Sequence, residues 1–163
     1  MANKTLAVLM AIVALATAQD WNTPGTVNLV KQFEGLSLVA YVCPAGVLTI
    51  GYGHTGPDVY SGQRITAAKA ESLLATDLQK FANIVNSAVR VPLNRNQRGA
   101  LVSFTFNVGG GNFRSSTLLK RLNAGEDPNT VAAQELPRWN KGGGKVLPGL
   151  VRRRQAEVDF FRS

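Results

Sequence analysis

The sequence predicts an α+β protein, one compact and mostly helical domain with a single small antiparallel sheet near its N-terminal end. Three observations carry that expectation. Apolar residues recur at three- and four-residue spacing over most of the chain, one stretch between residues 38 and 50 alternates instead, and Gly, Pro, Asn and Ser punctuate the periodic segments. The length of 163 residues and a hydrophobic content of 45% suit one globular core.

Taken in order, the chain opens on an apolar, alanine-rich run from Leu6 to Ala18 that carries no charge. It is shorter than the ~20 residues that comfortably span a bilayer. Lys4 before it and Ala16-Thr17-Ala18 after it fit a secretory signal with a small-residue cleavage site, and a buried core helix is the other local reading. Residues 1–20 are therefore set apart from a folded domain over 21–163.

Val27, Val30 and Phe33 then mark one face of a short helix, and Gly35 stands at its C-cap, so Glu34 ends that helix. Leu38, Ala40 and Val42 alternate with Val39, Tyr41 and Cys43; Pro44-Ala45-Gly46 turns the chain, and Val47 to Ile50 returns. Such a hairpin is expected to hold Cys43 and Thr49 near the Glu34 carboxyl.

After a loop through His54 and Asp58, Thr66 is the expected N-cap of a long helix with Ala70, Leu73, Leu74, Asp77 and Leu78 on one face. Val91-Pro92-Leu93 breaks it, and Asn94 is expected to cap a helix whose apolar centre runs from Ala100 to Phe106. Val108 to Asn112 reads as a flexible glycine turn. Ser115 or Ser116 opens a helix closed near Asn123, and Asp127-Pro128 starts another across Val131 to Glu135. Trp139 to Gly144 reads as a glycine-rich loop, and a last helix runs from about Pro148 to Phe161.

Charge is unevenly distributed. Residues 1–89 balance five bases against five acids, whereas residues 90–163 carry thirteen bases against five acids and so hold the whole net charge of +8. A basic face attracts polyanions, a class that includes nucleic acid, anionic membrane and an acidic cell envelope, and charge alone does not choose among them. One cysteine, Cys43, excludes an intrachain disulfide.

The spacing of Glu34, eight residues, Cys43, five residues and Thr49, followed by Ile50-Gly51-Tyr52-Gly53-His54, resembles the phage-type lysozymes of glycoside hydrolase family 24. That family reads Glu-x8-Asp-x5-Thr, so Cys43 stands where it usually has aspartate. Arg98-Gly99-Ala100-Leu101, Phe106-Asn107-Val108-Gly109, Ser116-Thr117-Leu118-Leu119 and Arg138-Trp139 extend the resemblance over roughly residues 25 to 163.

The resemblance implies a lysozyme-like fold, in which a long helix joins a sheet-bearing lobe to a helical lobe with a cleft between them. It implies cleavage of the β-1,4 bond between N-acetylmuramic acid and N-acetylglucosamine in peptidoglycan, leading to host lysis. Glu34, Cys43 and Thr49 become the catalytic set, Thr55 and Phe106 sugar contacts in the cleft, and His54 with Asp77 a structural ion pair. No cofactor, metal or nucleic-acid partner is expected, and the protein is expected to be a monomer. For residues 6–18 the resemblance adds a third reading, an uncleaved signal-anchor-release segment that holds the enzyme transiently at the inner membrane before it enters the periplasm. With no wall-binding module in the chain, a Gram-negative host is expected. A lytic transglycosylase, or a non-catalytic wall-binding protein, remains the alternative.

The residues themselves set conditions on that chemistry. Glycoside hydrolysis needs an acid for the leaving oxygen and a group that delivers water, or steadies an oxocarbenium-like centre, on the other side. A glutamate of ordinary pKa ~4.3 is ionised at neutral pH, so Glu34 is expected to owe its proton to apolar surroundings from Phe33, Leu36 and the hairpin. Thr49 can hold a water but is no strong base. A thiol near ~8.5 is mostly protonated at neutral pH, so Cys43 is read as a water-positioning group rather than a nucleophile; without the motif it would pass for a small core residue.

Overall fold

The computed structural model describes residues 21–43 and 46–163. The expected export segment, with the boundary after residue 20, and the Pro44-Ala45 part of the hairpin turn lie outside the described residues.

Helix α1 (Pro24–Glu34) starts because Thr23 accepts the Thr26 N–H at its N-cap and proline pre-sets the first turn. It ends because Gly35 adopts φ 68°, which a side chain would disfavour. Strands β1 (Ser37–Val42) and β2 (Leu48–Gly51) pair antiparallel, with Tyr41 opposite Thr49 and an irregularity between Ser37 and Tyr41. The other edge of β1 is covered by the loop before the next helix: Ala40 N–H donates to Gln63 O at 2.9 Å and Ile65 N–H to Leu38 O at 3.0 Å.

Helix α2 (Ala67–Ala88) begins at Thr66, whose hydroxyl accepts from Lys69 N–H. Its 22 residues reach ~33 Å at the ordinary helical rise. One end serves the small lobe, where Leu73 packs with Ile50 and Val59. The rest serves the large lobe, where Leu74, Leu78, Ala82 and Val85 join a separate, larger core. The helix is thus the shared wall of two apolar clusters.

Helix α3 (Arg95–Val108) opens on a reciprocal cap between Asn94 and Gln97, and its residues from Gly99 to Thr105 are buried throughout. It crosses α1 so closely that a Cβ on Gly99 would lie 2.1 Å from Thr26 Oγ1. Helices α4 (Gly110–Ser115), α5 (Thr117–Asn123) and α6 (Pro128–Glu135), a 3₁₀ turn (Leu136–Arg138) and α7 (Pro148–Arg162) complete the large lobe around Phe104, whose ring meets Phe113 and Trp139 edge-on. No helix among the described residues is long and apolar enough to cross a membrane.

Two glycine-rich segments depart from their sequence reading. Val108 to Asn112 is not a flexible turn: only Gly109 breaks the helix, at φ 87°, and α4 starts one residue later, anchored by the fully buried Phe113. Gly110 is there for contact, since a Cβ on it would sit 2.6 Å from Ile84. Trp139 to Gly144 is likewise not an open loop but leads into a short hairpin, β3 (Lys141–Gly142) with β4 (Lys145–Val146). Gly143 and Gly144, both at positive φ, make the two-residue turn whose twist suits such a hairpin.

Candidate active site

The end of α1 delivers Glu34 to the boundary between the lobes, where its side chain is 19% exposed. One carboxylate oxygen, Oε1, accepts a short hydrogen bond from Arg153 Nη1 of α7. The other, Oε2, faces the turn after β2, where a Cβ on Gly53 would come within 3.4 Å of it. The expectation of an apolar setting is therefore corrected. Leu36 is 46% exposed, and the group bonded to the carboxylate is a guanidinium.

Arg153 is itself held. Its Nε donates to Glu157 Oε1 at 3.2 Å and its Nη2 to Ser103 O at 3.3 Å, while the Phe33 ring lies 5.7 Å from its guanidinium. Glu157 also accepts from Ser103 Oγ at 2.8 Å, and Arg154 Nε lies 3.0 Å from its second oxygen. Arg154 then donates to Asn107 Oδ1 at 2.7 Å and lies against the Phe104 face. Burial pushes the Glu157 carboxyl up and the Arg154 guanidinium down to about 10, in both cases against the pull of their opposite charges. This cluster was missed in the sequence. Its signal was there: Arg153 and Arg154 stand four and three residues before Glu157, on one face of a helix.

In β2, Thr49 is 4% exposed and its hydroxyl donates to Val47 O at 3.0 Å. Cys43 N–H donates to the same carbonyl at 2.9 Å, so the two hairpin residues converge on one acceptor. With its hydrogen committed, the Thr49 oxygen has lone pairs left to accept from a water. Cys43 is half-buried.

His54 is buried and both ring nitrogens meet carboxylates. Nδ1 lies 2.6 Å from Asp77 Oδ2, and Nε2 lies 3.2 Å from each oxygen of Asp58. The backbone fixes the ring's position, because Ile50 and His54 exchange two N–H to O bonds of 2.9 and 2.8 Å. Asp77 accepts a further bond from Lys80 at 2.9 Å. The His54 contact holds the exposed Asp58 carboxyl below the usual range. Asp58 was not singled out in the sequence, although its position four residues after His54 was the available clue.

Two recesses flank these groups. One, of about 250 Å³, is lined by Gly53, Thr55, Asp77, Lys80, Phe81 and Phe106, so Thr55 and Phe106 share a wall-to-wall pocket. The other, of about 390 Å³, includes Phe33, Glu34, Asn107, Leu147 and Arg153. Phe106 and Asn107 are consecutive on α3, so that helix lines both recesses. Among the described residues no group of three or more His, Cys, Asp and Glu side chains is placed to hold a metal ion.

A small sheet lobe and a larger helical lobe, joined by one long helix and meeting at a cleft with a glutamate on its lip, define a lysozyme-like α+β protein. A solved structure described as the muramidase domain of SpmX from Asticaccaulis excentricus superposes on it with a TM-score of 0.79 and 41% identity, over 86% of this chain and 97% of that one. Residues 31–157 match the family model described as Phage lysozyme, and the chain belongs to that family. Among curated relatives, the endolysin of Bacillus phage PZA is 53% identical over 84% of this chain, and the SAR-endolysin of Bacteriophage PS119 is 44% identical over 77% of it. The chain spans 53% of the first of these, about half its length, and 74% of the second.

Proposed function

We propose that this protein is a lysozyme-type endolysin that hydrolyses the β-1,4 bond between N-acetylmuramic acid and N-acetylglucosamine in peptidoglycan. The observation that carries the reading is the Glu34 carboxyl at the cleft, with one oxygen held by Arg153 and the other facing Gly53 in the turn that follows the strand of Thr49.

In this reading Glu34 protonates the leaving glycosidic oxygen through Oε2, the oxygen that Arg153 leaves open, once bound saccharide rather than the resting surroundings has excluded water from the recess. A water whose hydrogen bond Thr49 accepts and which Cys43 steers then attacks the sugar carbon from the other side, its surplus proton passing to solvent, from which Glu34 regains its own. Arg153 fixes the carboxyl's direction, a positioning contribution rather than a proton transfer. Thr55 and Phe106 contact sugar in the recess between the lobes, and His54 with Asp77 pins the hairpin to α2 instead of doing chemistry. Peptidoglycan is the partner and the protein acts as a monomer without nucleic acid.

A digest of purified cell wall analysed by mass spectrometry tests the reaction. Hydrolysis leaves reducing sugar ends; anhydro-muramic ends would replace this reading with a lytic transglycosylase, which uses the sugar's own hydroxyl. No release of fragments at all would replace it with a wall-binding protein.

The same proposal places the enzyme first at the host inner membrane, through residues 6–18, and then in the periplasm of a Gram-negative host. Relatives named SAR-endolysin support it. The physical requirement is marginal hydrophobicity, which an alanine-rich run meets: it loses less on leaving lipid than a leucine-rich one.

A further inference from the structure

The surplus of positive charge in the second half of the chain is not spread evenly once the chain is folded. Arg121, Arg138, Arg153 and Arg154 each lie within an ion-pair contact of a carboxylate. Arg90, Arg114 and Lys120 have no carboxylate partner among the described residues, and they converge on one open pocket of about 480 Å³ in the large lobe. Its wall also includes Ser87 and Asn123, and no acid among the described residues lines it. By helical rise, Ser87 lies ~15 Å along α2 from Asp77 of the cleft, so the pocket is separate from the site above.

The three cations come from three different segments, just after α2, on α4 and on α5, and the walls that carry them are fastened together. Arg114 Nη2 donates to Ser87 Oγ at 3.1 Å, which ties α4 to α2 and sets the guanidinium's direction. Arg90 N–H donates to Asn123 Oδ1 at 2.8 Å, and Asn123 Nδ2 donates to Ala88 O at 2.9 Å, which ties the end of α5 to the end of α2. Three like charges in one recess repel one another, so an anion entering it gains from all three at once. The shape of the donor set selects the anion. A planar carboxylate is satisfied by one guanidinium fork, whereas a tetrahedral phosphate offers oxygens in several directions and so uses donors that approach from separate walls.

We propose that the pocket formed by Arg90, Arg114 and Lys120 is a phosphate-binding site, remote from the cleft, which takes a phosphate group from a lipid headgroup or from a soluble phosphate ester. Bound there, the large lobe would rest on a phosphate-bearing surface while the cleft stays open to substrate.

The test uses the full-length protein, labelled with ¹⁵N and titrated with inorganic phosphate at low salt, beside Arg90→Gln/Arg114→Gln. Saturable shifts confined to amides of residues 87–90 and 114–123, lost in the double variant, are expected. Equal shifts in the variant, or shifts as large with acetate as with phosphate, overturn the proposal. The source is read by co-sedimentation with vesicles of phosphatidylglycerol or of phosphatidylcholine. The apolar segment 6–18 is the same in both proteins, so only their difference counts. At roughly fivefold per basic side chain near an anionic surface, a lipid source predicts binding to phosphatidylglycerol about thirtyfold weaker in the variant, with no difference on phosphatidylcholine. Unchanged vesicle binding with the phosphate shifts intact assigns the site to a soluble phosphate. Release of sugar from soluble peptidoglycan fragments is expected to be the same for both proteins, since neither residue lines the cleft.

Discussion

At the level of single residues, the place of Glu34 at a helix end was legible because its signal is local: an amphipathic run closed by a glycine. Arg153 was not, because 119 residues separate it from Glu34 and three consecutive arginines do not reveal which of them turns inward. The surroundings of the glutamate were misread for the same reason. Glu34→Gln removes the transferable proton and keeps the shape, so wall digestion should fall by the ~10²–10⁴ that general acid catalysis supplies, with little change in thermal melting. At position 43, Cys43→Asp should keep substantial activity and Cys43→Ala lose most of it, measured as clearing of permeabilised cells; full activity in the alanine variant would remove Cys43 from the water's path. Arg153→Met strips a cation from two carboxylates in a setting where it is 4% exposed. Breaking a buried pair in this way typically costs ~3–5 kcal/mol, readable from urea unfolding, and a loss under ~1 kcal/mol would show that water reaches the cluster.

At the level of elements, the caps were the most readable feature. Thr66, Asn94, Ser116 and Asp127 each accept a backbone N–H at the start of the helix they were expected to open. A cap is a contact over three residues, so its signal is contained in a short window. The glycine-rich stretches were misjudged because glycine serves two ends, conformational freedom and close approach, and only the fold distinguishes them. Gly99→Ala forces a methyl into Thr26 between α1 and α3. Overpacking of that kind costs typically ~1–3 kcal/mol, so the melting temperature should fall although alanine is the better helix former. The pH behaviour of the hairpin anchor has a definite sign. The folded-state pKa of Asp58 is depressed, chiefly by its bond to His54, so its contribution is present above its unfolded value of ~3.9 and disappears as pH falls through the lower folded value. Asp58→Asn should therefore lower the melting temperature at pH 5 to 6, and the gap to the unaltered protein should close as the pH drops below ~4.

For the molecule as a whole, the α+β architecture was legible from periodicity, while the sorting of its charge was not: composition gave +8, but only folding separates the arginines that meet carboxylates from those around an open pocket. The N-terminal run yields the whole-molecule prediction. Expressed alone, the protein should fractionate with membranes at full length and turn soluble on depolarisation; a mature chain beginning at Gln19 would establish cleavage instead. Replacing several of its alanines with leucine should trap it, at roughly 0.8 kcal/mol for each added methylene in lipid. The bond between Glu34 and Arg153 joins the first described helix to the last. A ribosome delivers the glutamate long before it delivers the arginine, so no nascent or prematurely terminated chain that stops short of α7 can have its acid oriented. If Glu34 acts as proposed, competence arrives in one step, with the final helix, and a chain truncated before Pro148 should show no wall digestion.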